Sequence, residues 1–238
     1  MAICPSNAVS SPEAPPPGRS EFNYDLVIQR LIPGYASLAR LAVALLSASP
    51  LASARNSSVL VAGCGTGAEL LESRAQRPDW QLTAMDPSAE MLAVAKQRVG
   101  EISAIEWRQA KLEDLGATER FDGALAILVL QSLPDNGAKL NFLSTLARAL
   151  RPGGQLFLVD LMGPEWSPLQ RQMQAAWQGF QRASSLLDPS EAISSLSDGL
   201  HPIGRARLSS LADAAGFGDP APVFRALDFE GFLLQRRG

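Results

Sequence analysis

Cysteine and histidine are nearly absent: the 238 residues hold two cysteines and one histidine. Cys4 falls in a proline-rich start and Cys64 in a glycine-rich turn, so neither a disulfide framework nor a cysteine and histidine metal cluster is expected. A reducing cytoplasm suits this usage. Long apolar runs are missing as well. The most apolar stretch, Ala124 to Leu130, is far short of the ~20 residues that cross a bilayer, so no membrane partner is expected. The N-terminus has no basic flank or apolar stretch of the kind a signal peptide carries. A basic excess is also lacking. With 21 basic and 24 acidic residues the net charge is −3, and no nucleic-acid partner is evident.

What is present describes a globular protein. Hydrophobic residues make up 46% and charged residues 19%, in a chain long enough for one large α/β domain and cramped for two. Residues 1–20 carry Pro5, Pro12, Pro15, Pro16 and Pro17 among serines, a composition too poor in apolar side chains to repay ordering. They are read as a disordered tail, and residues 21–238 as the domain. From Phe22 to Ser49 apolar residues recur at helical spacing with a break at Pro33-Gly34, which predicts two helices. They either cover the sheet or form a lid over a cofactor, with Tyr35 reaching inward.

The stretch Ser58 to Leu71 organises the chain: an apolar run, SVLVA, breaks into Gly63, Gly65 and Gly67 and resumes at helical spacing. This predicts a strand, a tight turn and a helix start. The glycines permit positive φ and close approach of a ligand to backbone N–H groups at the positive end of the helix. Beyond it, strands are predicted at Gln81 to Met85, Ala104 to Arg108, Asp122 to Leu130 and Gln155 to Asp160, the last after an RPGG turn. Helices at Ser88 to Val99 and Gly137 to Leu150 separate them. The alternation implies a doubly wound, mostly parallel sheet with ligands outside the carboxyl ends of its strands. A long helix from Glu165 to about Leu187 has the position of a cap. A helix at Arg205 to Ala215 and strands at Ala221 to Arg225 and Asp228 to Gln235 close the chain. Asp86 ends the second strand 19 positions after Gly67, where a carboxylate can accept both ribose hydroxyls. A nicotinamide dinucleotide and S-adenosylmethionine suit this spacing equally.

The ordered runs VLVAGCGTG, AMDPSAEML, QAKLEDL, FDGALAILVLQSLPD and LRPGGQLFLVD resemble the motifs of class I S-adenosylmethionine-dependent methyltransferases. The resemblance implies a Rossmann-like sheet of seven strands, the last antiparallel and inserted beside the sixth. A narrower likeness, in IQRLIPGY, FQRA and DAAGF, is to carboxy-S-adenosylmethionine synthase. By resemblance, Gly63, Cys64, Gly65 and Gly67 form the cofactor turn and Asp86 holds the ribose. Pro87 lies beside the adenosine, Lys111 and Leu112 beside the adenine, Ile127 under the sulfonium end, and Tyr35 touches the cofactor. Two residues depart from the pattern. Val61 stands where the family usually has a carboxylate, and Lys111 where an acidic residue accepts from the adenine amino group, which an ammonium cannot do. Ser197 stands where the synthase has an arginine for the added carboxylate, and no arginine occurs between Arg182 and Arg205.

The reading is therefore methyl transfer from S-adenosylmethionine to a small-molecule acceptor. A synthase-like enzyme and a non-catalytic cofactor-binding protein of the same fold are the alternatives, and a homodimer stays open. A sulfonium is already a strong electrophile, so alignment and exclusion of water can suffice and no catalytic residue is assigned. His201 is the single histidine available as a base, in a loop position more typical of surface. Glu165, Trp166, Trp177 and Arg182 are acceptor-pocket candidates, on a stripe more typical of core.

Overall fold

A computed structural model describes residues 22–100, 104–163, 167–185 and 199–238. The expected tail, the candidates Glu165 and Trp166, the end of the cap helix and Ser197 lie outside the described residues. Two helices, α1 (Phe22–Leu31) and α2 (Tyr35–Ser47), come first, with Gly34 between them at φ 81°. Then follow β1 (Ser58–Ala62), α3 (Ala68–Gln76), β2 (Gln81–Asp86), α4 (Ala89–Val99), β3 (Ile105–Gln109) and β4 (Phe121–Ile127). The rest is α5 (Ala138–Ala149), β5 (Leu150–Leu161), α6 (Gln170–Ala183), α7 (Arg205–Ala215), β6 (Ala221–Ala226) and β7 (Phe229–Gln235). Ser88 caps α4 as its sequence position suggests, accepting from the Met91 N–H at 3.2 Å.

The strands form one sheet in the order β3-β2-β1-β4-β5-β7-β6. β1 to β5 pair in parallel, while β7 runs antiparallel between β5 and β6. Side chains alternate across such a sheet, so each apolar strand feeds two cores. Leu60, Ala62, Ala124, Leu156 and Leu158 pack with α5 and α7 on one face. Val59, Val61, Leu125, Phe157 and Val159 pack with α2, α3 and α4 on the other. Gly123 brings α2 close, since a Cβ there would lie 3.2 Å from Leu46.

The cap helix is shorter than the sequence reading, starting at Gln170 and ending at Ala183, with residues 167–169 before it and Ser184 and Ser185 after it outside the helix. Two further boundary differences bear on the site. β4 stops at Ile127. Leu128 takes φ 59° and donates its N–H to the Val159 carbonyl, after which Leu130–Ser132 form a 3-10 turn. Hydrophobicity continues through Leu130 because the chain leaves the sheet without leaving the interior. At the other end of the next crossover, the expected RPGG turn belongs to β5. The register jumps between Phe121↔Leu150 and Gly123↔Gln155, and Gly153 and Gly154 exchange hydrogen bonds with Arg236. The extra residues are a bulge held by the terminal segment.

Candidate functional site

The glycine turn joins β1 to α3 with Gly63, Gly65 and Gly67 at φ 71°, 49° and 85°. At Gly63 space matters too: an added Cβ would stand 2.5 Å from Val129 Cγ2. The N–H groups of the turn itself are largely engaged within the protein. The N–H groups of Gly63 and Cys64 donate to the Met85 carbonyl, and that of Gly67 to the Cys64 carbonyl. The Gly65 N–H donates to Asp86 Oδ2 at 2.9 Å, while Asp86 Oδ1 accepts from the Ser88 N–H at 2.9 Å. Asp86 thus ties the turn to the end of β2 and starts α4. Two carboxylate oxygens carry about four acceptor positions, so both retain capacity for a ligand.

A cavity opens at the carboxyl edge of β1, β2 and β3. Of the expected site residues, Gly63, Pro87, Lys111 and Leu112 line it. Met85, Val129 and Phe142 complete its apolar part, and Glu113 and Ser132 add polar groups. Lys111 has an exposed side chain, and its N–H donates to Asp114 Oδ2 at 3.0 Å, which fixes the turn carrying Leu112. Cys64, Gly65, Gly67, Asp86, Tyr35 and Ile127 do not line this cavity. Cys64 is buried, and burial pushes its thiol up to about 12. Ile127 packs against the α2 side of the core, as does the fully buried Val61. Tyr35 lines a separate recess with Glu69 and Arg98, and burial raises its phenol far above the ordinary value.

Helix α1 is clasped to the turn. Thr66 Oγ1 donates to Asp25 Oδ1 at 2.5 Å, Arg98 pairs with the Asp25 carboxylate, and Arg98 also donates to the Thr66 carbonyl at 2.8 Å. Glu69 is buried in this cluster, and its carboxyl is pushed up to about 7, by burial first and by Asp25 in addition. Sequence reasoning did not find Glu69, whose place in the first turn of a helix reads as an ordinary dipole partner.

A second recess lies under α1 and α6. Tyr24, Ile28 and Leu31 come from α1, Trp177 from α6, and Leu128 and Gln131 from the exit of β4. Leu128 walls this recess and the next residue, Val129, walls the cavity beside the glycine turn, so the two are back to back. Trp177 donates its indole N–H to the Leu31 carbonyl at 2.7 Å and meets Phe229 edge-on with centroids 5.8 Å apart. It belongs to both core and recess, whereas Arg182 and His201 are exposed. The His201 N–H donates to the Gln131 carbonyl at 2.6 Å, and its neighbour Leu200 reaches the recess.

Comparison with known proteins follows the same outline. Residues 59–154 match the family model described as a methyltransferase domain. The donor in that family is S-adenosylmethionine. A ubiquinone biosynthesis O-methyltransferase of Bradyrhizobium sp. (strain ORS 278) is 38% identical over 106 residues, 44% of this chain and 39% of that protein. Its counterpart in Xanthomonas oryzae pv. oryzae is 39% identical over 106 residues, 43% of this chain and 42% of that protein. The match thus spans about two-fifths of the length of these curated relatives. Among solved structures, Burkholderia thailandensis 1,6-didemethyltoxoflavin-N1-methyltransferase, with bound 1,6-didemethyltoxoflavin and S-adenosylhomocysteine, superposes with TM-score 0.59 at 20% identity. That comparison covers 97% of this chain and 94% of the other. Human N-acetylserotonin methyltransferase gives 0.57 at 18% identity, covering 93% and 60%. At these identities the likeness is one of fold.

Proposed function

We propose that this chain is an S-adenosylmethionine-dependent methyltransferase acting on a small molecule. The observation that carries the reading is the pair of back-to-back recesses at the exit of β4, one beside the glycine turn and the other under α1 and α6. The cofactor's contribution is an electrophilic methyl on a sulfonium. The residues present suit such a ligand: Pro87 and Leu112 offer apolar faces for adenine, Asp86 retains acceptor capacity for ribose hydroxyls, and Gly63 leaves room beside Val129. This assigns Gly63, Asp86, Pro87, Lys111 and Leu112 to cofactor binding. The backbones of Cys64, Gly65 and Gly67 hold the turn, and Ile127 and Tyr35 support it from the core. Helix α1 keeps water from the junction by its clasp on Thr66.

The narrower likeness to carboxy-S-adenosylmethionine synthase gives a second reading, since two of the segments that carry it, in α1 and α6, pack against each other. A transferred carboxylate needs a cationic partner in a dry pocket, and arginine is the natural one. No arginine lines either recess among the described residues, which favours the unmodified cofactor. The test is mass spectrometry of small molecules that co-purify with the protein, followed by a product assay with prephenate. S-adenosylmethionine or its demethylated product supports methyl transfer; carboxylated cofactor, bound or formed, replaces that reading with the synthase; an empty protein that binds neither leaves a non-catalytic fold.

A further inference from the structure

The recess under α1 and α6 is apolar on almost every side, and no charged side chain lines it among the described residues. Its two polar side chains are Tyr24 and Gln131. Burial, reinforced by the carboxylates of Glu69, Asp25 and Asp86, pushes the Tyr24 phenol up to about 12, so it is neutral near pH 7. The indole N–H of Trp177 is already engaged by the Leu31 carbonyl.

Gln131 is held differently from every other residue of the wall. Its backbone N–H donates to Asp160 Oδ1 at 3.0 Å, and its carbonyl accepts from the His201 N–H at 2.6 Å. Its side-chain Oε1 accepts from the Leu161 N–H at 2.7 Å. This last bond decides the orientation of the amide, because the reverse orientation would set NH2 against N–H. Asp160 is itself buried, and burial pushes its carboxyl up to about 8. Three segments thus fix Gln131, and its remaining group, the amide NH2, has no hydrogen-bond partner among the described residues. A fixed donor in an apolar wall selects a ligand by the acceptor atom it carries, since a ligand without one would leave the donor unpaired.

We infer that this recess binds a flat, uncharged aromatic molecule carrying a carbonyl or ether oxygen, and that the Gln131 amide NH2 donates to that oxygen. Trp177 and Phe229 give the ring its aromatic contacts, and a carboxylate on the ligand would enter without a cation to meet it. Taking this molecule to be the methyl acceptor rests on the methyltransferase reading, through the adjacency of Leu128 and Val129. Asp160 and His201 act here as positioning residues, through the backbone of Gln131.

The test titrates three probes of similar size, coumarin, naphthalene and 2-naphthoate, into the full chain saturated with S-adenosylhomocysteine. Binding is located by the Trp177 indole N–H resonance, assigned by its loss in Trp177→Phe. Coumarin should bind roughly two- to tenfold tighter than naphthalene, the worth of one hydrogen bond, and 2-naphthoate weakest of all. Gln131→Met should erase the advantage of coumarin over naphthalene and leave S-adenosylhomocysteine binding unchanged, which also shows that the variant folds. Equal or tighter binding of 2-naphthoate, or a coumarin advantage that survives Gln131→Met, overturns the inference. Should Gln131→Met fail to fold, the wild-type comparison decides, and coumarin no tighter than naphthalene overturns it. Selective coumarin binding in a chain that ignores S-adenosylhomocysteine would leave the recess standing and defeat the methyltransferase reading; the opposite pattern would do the reverse.

Discussion

Replacing Asp86 by asparagine separates the two duties assigned to this residue. The carboxylate accepts from the Gly65 and Ser88 N–H groups, each at 2.9 Å, one on each oxygen. Asparagine keeps the size and one acceptor oxygen but turns an NH2 toward the other N–H. Leaving a buried donor unpaired costs about 1 to 3 kcal/mol. For a chain of this length that is a fall in Tm of roughly 2 to 12 °C without ligand. On the proposed reading the same carboxylate also accepts from ribose hydroxyls. S-adenosylhomocysteine at a hundred times its Kd stabilises wild type by about 2.7 kcal/mol. Hydrogen bonds to a charged acceptor are worth about 1.5 to 3 kcal/mol. If the substitution weakens binding about a hundredfold, the stabilisation at the same ligand concentration drops to about 0.4 kcal/mol. Thermal unfolding of both proteins, with and without ligand, reads both numbers. An unchanged Tm without ligand would refute the hydrogen bonds to the turn. A full ligand shift in the variant would refute the ribose contact.

Other expectations follow from single distances and charges. Gly63→Ala places a Cβ 2.5 Å from Val129 Cγ2 at φ 71°, and chemical denaturation should show a loss of about 1 to 3 kcal/mol. Adding Val129→Ala should restore the steric part and leave the backbone part, while full recovery would contradict a strained turn. Lys111→Asp supplies the acceptor that the adenine amino group lacks and should tighten S-adenosylhomocysteine by roughly 0.5 to 1.5 kcal/mol in calorimetry; weaker binding would mean that the cavity beside Leu112 does not take the adenine. Glu69, pushed up to about 7 from 4.5, is protonated in the fold and ionised in the unfolded chain between those values. Its contribution to stability is full below pH 4.5 and is lost as pH rises through about 7, so urea midpoints should fall across that window. Glu69→Gln should flatten the fall, and an unchanged slope would assign it to other groups.

The parts of this molecule that were legible in its sequence are those where backbone geometry restricts the choice of residue. Gly63, Gly65 and Gly67 mark a turn that needs positive φ, Ser88 marks a helix start, and the alternating apolar runs mark a sheet buried on both faces. Where the chain bends inside the core, the letters stay apolar and the signal is lost. Thus β4 reads on to Leu130 although the strand ends at Ile127, and the bulge at Gly153 and Gly154 reads as a turn because its partner, Arg236, is far along the chain. The second recess was legible only in part. Trp177 stood out as a large aromatic on a helical stripe, but Ile28, Leu128 and Phe229 look like core in any window, and Gln131 looks like surface. What makes Gln131 informative is its bond to the Leu161 N–H, which depends on a strand thirty residues away. Nor does local sequence tell that the Asp86 carboxylate and the Met85 carbonyl take up the N–H groups of Gly63, Cys64 and Gly65.

The central claim is that the cavity beside the glycine turn takes S-adenosylmethionine. Calorimetric titration of the purified chain with S-adenosylhomocysteine, alongside NAD, tests it most directly. The account predicts saturable binding of one S-adenosylhomocysteine per chain and no heat from NAD. Binding of NAD with none of S-adenosylhomocysteine would contradict it.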